Sequence, residues 1–278
     1  RFFAAMPPTR PRRVGRAHDA SYVLFEGLLG ERQLRNARAF AASDAVQAQL
    51  SEGILFDEKT AANGYASEEE ENEAQNEGGP SAAPPAKKQK RNVAERRSRI
   101  AWLEREAAEG EASPVIPPWL HAQLRSAART AHRLLGDKLC PIGVDALGRW
   151  TPRYEPVQYT EYGPGSHYAS WHTDSELDSD DVEDTRGVTV VVLLSDGAAF
   201  GGGKFQTRAR GGAPQDRRAR GCRTAPLHPC GPCAGAPQTI ELKAGDAIGF
   251  PAARLEHRVT KVTRGLRQSL VFWANRPA

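Results

Sequence analysis

Residues 154–174 read YEPVQYTEYGPGSHYASWHTD and residues 245–274 read GDAIGFPAARLEHRVTKVTRGLRQSLVFWA. Both stretches are short β-type runs punctuated by Gly, Pro and Asp, and the same texture recurs between them. The runs are Val157–Tyr162, Val188–Leu194, Gly203–Thr207, Thr239–Leu242, Ala247–Phe250, His257–Val262 and Gln268–Ala274. Strands punctuated this regularly predict an all-β sandwich or barrel, here a core of roughly 120 residues.

Upstream of this core the period changes. Tyr22–Phe25 reads as a short strand, and residues 30–50 place Leu34, Ala37, Phe40 or Ala41, and Leu50 on one helical face. Trp119, Leu120, Leu124, Ala127, Ala131 and Leu134 recur at three to four residues, and Gly136 stands where a helix C-cap belongs. The fold class expected is mainly β with flanking helices (α+β), the helices buttressing the β-core from the N-terminal side. The expected organisation is a basic disordered tail over 1–20, a strand and helix over 21–60 and a disordered insertion over 61–92. Buttressing helices are expected over 93–150, and the β-core over 151–278 with insertions at 175–184 and 208–237.

The chain has 278 residues, 38 Lys+Arg against 34 Asp+Glu, 39% hydrophobic residues and 4 Cys. No stretch approaches the ~18 to 20 apolar residues of a membrane span, so no membrane partner is expected. Four Cys are too few for a disulfide-built scaffold. These features predict a soluble globular protein of a reducing compartment, cytoplasmic or nuclear. The chain opens at Arg1, and Arg10, Arg12, Arg13 and Arg16 in an acid-free stretch leave organellar targeting open. Charge is distributed in blocks: EEEENEAQNE at 68–77 and KKQKR at 87–91 carry too few apolar groups to offset the entropy of ordering. The basic cluster has two readings, a solvated loop and a nuclear-localisation or nucleic-acid patch.

The chemistry concentrates at Trp171-His172-Thr173-Asp174. Residues i and i+2 of a strand share a face, so His172 and Asp174 can present an imidazole and a carboxylate to one point. Alone, such a pair is equally a polar strand surface. A third ligand at His257 would complete a two-His, one-carboxylate set, which leaves metal positions open and suits non-haem Fe(II) and oxygen chemistry better than structural zinc. Arg267 follows ten residues later. If the strands of His257 and Arg267 are adjacent and antiparallel, joined through Thr263-Arg264-Gly265, both face one cavity. The guanidinium would then fork a carboxylate, with the Ser269 hydroxyl as a second donor on the same face.

The series Tyr162-Gly-Pro-Gly165, Tyr168, Trp171-His172-Thr-Asp174, Val188–Asp196, Phe200-Gly-Gly-Gly203, Gly245-Asp246, Phe250-Pro251, His257 and Arg267-x-Ser269 resembles the catalytic domain of the Fe(II)/2-oxoglutarate-dependent dioxygenases. Within that superfamily it is most similar to the prolyl 4-hydroxylase-like group, over about residues 154–273. The resemblance implies a double-stranded β-helix (jelly-roll) core. It implies Fe(2+) on His172, Asp174 and His257, and 2-oxoglutarate as cosubstrate with its distal carboxylate on Arg267. Tyr162 is a candidate hydrogen-bond donor to the same cosubstrate. O2 is the oxidant, 2-oxoglutarate is decarboxylated to succinate, and ascorbate is a further candidate cofactor. Three residues separate Tyr168 from His172 where many relatives have two, which predicts a bulge before the triad.

The activity expected is hydroxylation of an amino-acid side chain, best matched by prolyl residues of a protein or peptide. The alternatives are oxidative demethylation of nucleic acid and a catalytically inactive jelly-roll binding module. Nucleic acid would be met by the basic loop 208–223, with Arg208, Arg210, Arg217, Arg218, Arg220 and Arg223, which reads equally as a solvated loop. Cys222, His228, Cys230 and Cys233 have one Cys-x-x-Cys spacing but no second clean pair, so free or redox-paired thiols are favoured over zinc. Trp171 is expected to pack under the triad. Gly-x-Ser-x-Gly, a Walker loop and a dinucleotide fingerprint are all absent, which leaves no basis for a hydrolase or nucleotide enzyme.

Overall fold

The computed structural model describes residues 13–17, 20–55, 96–106, 114–136, 152–175, 186–208 and 237–275. The tail up to residue 12, the charged runs at 68–77 and 87–91, Cys222, His228, Cys230, Cys233 and nearly all of both expected insertions lie outside the described residues.

In chain order the strands are β1 (Arg13–Ala17), β2 (Ala20–Phe25), β3 (Ser51–Leu55), β4 (Arg96–Leu103), β5 (Arg153–Tyr154), β6 (Val157–Tyr162), β7 (His167–His172) and β8 (Arg186–Leu193). They continue as β9 (Phe200–Gly202), β10 (Phe205–Arg208), β11 (Gln238–Ile240), β12 (Ala247–Pro251), β13 (Glu256–Val259), β14 (Val262–Gly265) and β15 (Arg267–Asn275). The helices are α1 (Glu31–Ala41), α2 (Asp44–Ala48) and α3 (Pro118–Leu135). One curled antiparallel sheet runs β1-β2-β12-β8-β15-β6-β4-β7-β13-β10-β11, with β3 beside β4 and β5 beside β15. A separate ribbon pairs β9 with β14. This is the expected jelly-roll architecture.

The alternation of β15 explains how the sheet serves two purposes. Leu270, Phe272 and Ala274 face the main core with α3, while Arg267, Ser269, Val271 and Trp273 face a cavity inside the curl. The neighbouring β8 divides likewise: Val188, Val190 and Val192 enter the main core and Val191 lines the cavity. Covered on both sides, β8 needs the unbroken apolar run that its sequence carries. α3 supplies the cover through Leu120, Leu124, Ala127, Ala128 and Ala131, all fully buried. Each buried Leu contributes about 1.5–3 kcal/mol. Its alanines let it come close: a methyl added at Gly249 of β12 would lie 2.8 Å from Ala131 Cβ. Pro118 opens the helix and Gly136, at φ 77°, ends it where the pattern placed the cap. Arg38 of α1 donates Nε to Leu194 O at 2.7 Å, which ties the N-terminal helices to the end of β8.

Three expectations change. The helical face over 30–50 belongs to two helices, because the chain breaks at Ala42-Ser43 before α2. The region from residue 93 onward, expected to be helical, begins instead with β4; its inward positions include Ser98 and Ala101, so no hydrophobic alternation marks it. The strands of His257 and Arg267 are not neighbours: β13 pairs with β7 and β10, whereas β15 pairs with β5, β6 and β8. The intervening β14 turns aside to pair with β9, and the curl of the sheet, not a hairpin, brings the two side chains to one cavity.

Because α3 approaches β12 so closely, Ala131→Leu should overpack this contact and lower stability by about 1–3 kcal/mol. Urea unfolding should show a lower midpoint at unchanged slope; an unshifted midpoint would mean that helix and sheet are not in tight contact.

Candidate metal centre

β7 and β13 pair so that His172 and His257 stand directly opposite, with ring centroids 4.3 Å apart. Two residues of β13 span four of β7 between this pair and Val259 opposite Tyr168, which is the bulge expected before the triad. Asp174 lies just past the strand end in a bend, so its position does not follow from strand alternation alone. Three contacts fix it: its N–H donates to Ala252 O at 2.9 Å, its Oδ2 accepts from Thr189 Oγ1 at 2.6 Å, and its carbonyl accepts from Arg186 Nη1 at 3.3 Å.

The free oxygen, Asp174 Oδ1, then faces His257 Nε2 at 3.6 Å and His172 Nε2 at 3.9 Å. One ligand atom from each of the three residues lies within 4.8 Å of the others. The Nδ1 atoms of His172 and His257 sit 3.1 Å from the carbonyls of Ser170 and Leu255. A carbonyl can only accept, so each Nδ1 carries a proton and each Nε2 is the ring nitrogen turned to the carboxylate. Burial and the neighbouring His257 hold the His172 imidazole down to about 3, so it is neutral at physiological pH. Burial alone would raise the Asp174 carboxyl, but the histidines, the Thr189 hydroxyl and Arg186 together hold it below the ordinary carboxylate range. Two imidazole Nε2 atoms and one carboxylate oxygen in this arrangement fit a divalent metal with positions left open.

Deeper in the same cavity, Arg267 is 2% exposed and donates Nη1 to Ser269 Oγ at 3.1 Å. Its guanidinium carbon lies 5.6 Å from the Tyr162 ring, opposite it on β6. No salt bridge among the described residues engages Arg267. A buried guanidinium without a counter-ion is costly, and a carboxylate from outside the chain is the group that would relieve it. The cavity, of about 270 Å³, thus gathers all six residues read from the sequence: His172, Asp174, His257, Arg267, Ser269 and Tyr162.

Other groups complete the site, among them Tyr168, which the sequence placed in the motif series without a role. Tyr168 stacks on His172 with centroids 3.7 Å apart, and Arg96 lies over Tyr168 at 5.2 Å. Arg186 grips Glu155 through two bonds of 2.8 and 2.6 Å and covers Trp273 at 4.1 Å. Thr189 could have been suspected, since it is the polar residue inside the apolar run of β8. Trp171 does not pack under the triad; it is not among the residues lining the cavity, and the guanidinium groups of Arg208 and Arg258 lie over its ring at 4.5 and 4.6 Å. Arg208, the first residue of the expected basic loop, is bound to Glu256 at 2.7 Å. The rest of that loop through residue 223 is outside the described residues.

Comparison with known proteins shows what these features are similar to. Residues 157–275 match the family model described as the 2OG-Fe(II) oxygenase superfamily. Among solved structures, the chain is similar to a prolyl hydroxylase from Trichoplax adhaerens in complex with a hypoxia inducible factor oxygen degradation domain peptide fragment. The identity is 15%, the TM-score 0.52, and the match covers 91% of this chain and 83% of that one. It is also similar to a prolyl-4-hydroxylase from Pseudomonas putida, at 17% identity and TM-score 0.49, over 92% of this chain and 93% of that one. No curated protein matches in sequence.

Replacing Thr189 by Val should free Asp174 Oδ2 and lower unfolding free energy by about 1.5–3 kcal/mol, the range for a hydrogen bond to a charged group. Thr189→Ser should retain most of that stability in the same urea experiment. Equal losses in both variants would show that packing, not the hydroxyl, is what Thr189 supplies.

Proposed function

We propose that this oxidoreductase, a member of the 2OG-Fe(II) oxygenase superfamily through residues 157–275, hydroxylates prolyl side chains of a protein or peptide. The family uses Fe(2+), 2-oxoglutarate and O2. The observation that carries the reading is the meeting, in one cavity, of the His172–Asp174–His257 set with a buried guanidinium that has no acidic partner among the described residues.

In this reading His172, Asp174 and His257 hold the iron. Arg267 takes the distal carboxylate of 2-oxoglutarate, Ser269 orients the guanidinium, and Tyr162 adds a donor beside it. The bound iron supplies the oxidising chemistry, in which 2-oxoglutarate is decarboxylated to succinate and one oxygen atom enters a C–H bond. The chain's own part is positioning and exclusion. Thr189 and Arg186 hold Asp174 in place, and Tyr168, flat against His172, keeps water from that side of the imidazole.

Prolyl substrates are supported by the cavity wall. Trp102, Tyr168 and Trp273 line it, with Trp102 and Trp273 centroids 6.0 Å apart, and Trp102 stands 40% exposed. Aromatic walls suit a pyrrolidine ring and an extended backbone. The Trichoplax fold relative, whose structure holds a peptide, supports the same substrate class.

Anaerobic titration with Fe(II) and then 2-oxoglutarate should give the weak visible charge-transfer band of a chelated keto acid, absent in His172→Ala. Incubation in air with prolyl-containing peptides should then add one oxygen atom at proline by mass spectrometry. Oxidation of a nucleic-acid panel instead would overturn the substrate reading. Arg267→Ala should weaken 2-oxoglutarate by about a hundredfold, the scale of truncating a buried charge pair, with metal affinity retained. Parallel loss of both in a folded variant would refute the role given to Arg267. Asp174→Ala should abolish turnover, and unchanged turnover would refute the triad.

A further inference from the structure

Arg267 borders two cavities: the one holding the triad and, on its other side, a smaller one of about 160 Å³ walled in part by Phe200, Gly202 and Gly203. From the front, Ser269 holds the guanidinium. From behind, the stem rests on Gly203. A methyl added there would lie 3.0 Å from Arg267 Cδ, 2.9 Å from Val262 Cγ2 and 3.4 Å from Phe200 Cδ2. Gly203 also has φ +58°, a conformation that side-chain-bearing residues rarely adopt. Its place is not adjustable. Its N–H donates to Lys261 O at 3.0 Å, and the adjoining Gly202, at φ +68°, passes so close that a methyl would overlap the Lys261 carbonyl.

Resting on the cosubstrate role given to Arg267 above, we propose that Gly203 is a specificity-determining residue. Its bare Cα is the stop that sets the depth of the guanidinium below the triad, and so the chain length of the 2-oxo dicarboxylic acid that the site accepts. An acid held by metal at one end and by a fork at the other must span a fixed distance, and homologues one carbon shorter or longer miss it. A methyl at Gly203 forces the stem to give by a few tenths of an ångström, enough to spoil the fork for the one length that fits.

The test is calorimetric titration of the Zn(II)-loaded chain, without turnover, with 2-oxoglutarate and its four-carbon and six-carbon homologues. In Gly203→Ala, 2-oxoglutarate should weaken about tenfold, the scale of one impaired charge-assisted hydrogen bond, while the homologues change less than about threefold. Zn(II) affinity should be unchanged. Gly201→Ala is the control, because a methyl there meets Thr263 and Arg264 side chains on the same ribbon and not Arg267. Adding Val262→Ala to Gly203→Ala makes room for the methyl and should restore part of the affinity. If Gly203→Ala does not fold, Val262→Ala alone loosens the seat behind the stem and should narrow the preference for 2-oxoglutarate. The proposal is overturned by unchanged affinities, by equal losses for all three acids, by the same shift in Gly201→Ala, or by an unaltered preference in Val262→Ala. Failure of the unmutated, metal-loaded chain to bind 2-oxoglutarate would instead remove the cosubstrate reading, and this inference with it.

Discussion

The two faces of one curled sheet are the constraint on which the rest of this molecule depends. A strand sends successive side chains to opposite sides, so β8 and β15 build a hydrophobic core with α3 and line a reactive cavity in the same stroke. Leu270 and Phe272 anchor the strand against the helix, and that anchorage fixes where Arg267, Ser269 and Trp273 point on the other side. A one-residue slip would bury the guanidinium under α3 and turn Phe272 into the cavity. Fold and site are therefore held by the same register.

The site itself is an arrangement of unmet electrostatic demands. The carboxylate of Asp174 is held ionised by the groups around it, two imidazoles turn Nε2 inward, and Arg267 is buried without an acid among the described residues. A chain folding alone gains nothing from this set, because each charged group has given up water. Under the function proposed above, a divalent cation with a dicarboxylate would complete the arrangement.

Much of this was legible in the sequence for a definite reason. His172, Asp174, His257, Arg267 and Ser269 were legible as a set, because their ordered motifs together resemble a known family, whereas His172 and Asp174 alone read equally as a polar strand surface. β4 was not legible, because it buries Ser98 and Ala101 and shows Arg outward, a pattern without hydrophobic contrast. The break between α1 and α2 was hidden because both helices continue one apolar face. The relation of His257 to Arg267 was misread for a topological reason: sequence proximity suggested a hairpin, but β14 leaves to pair with β9. The role of Thr189 needed three dimensions, since its partner Asp174 belongs to another strand's end.

The position of β4 bears on where this catalytic unit begins. The family match starts at residue 157, yet β4 ends at Leu103 and lies between β6 and β7, bonded to both. A fragment cut to the matched segment would have a slot where that strand belongs, with two open edges facing each other across it. Open edges recruit whatever extended chain is at hand, including a second copy of the same fragment. The segment that carries the chemistry and the segment that folds are different lengths of chain, and the longer one reaches back across α3.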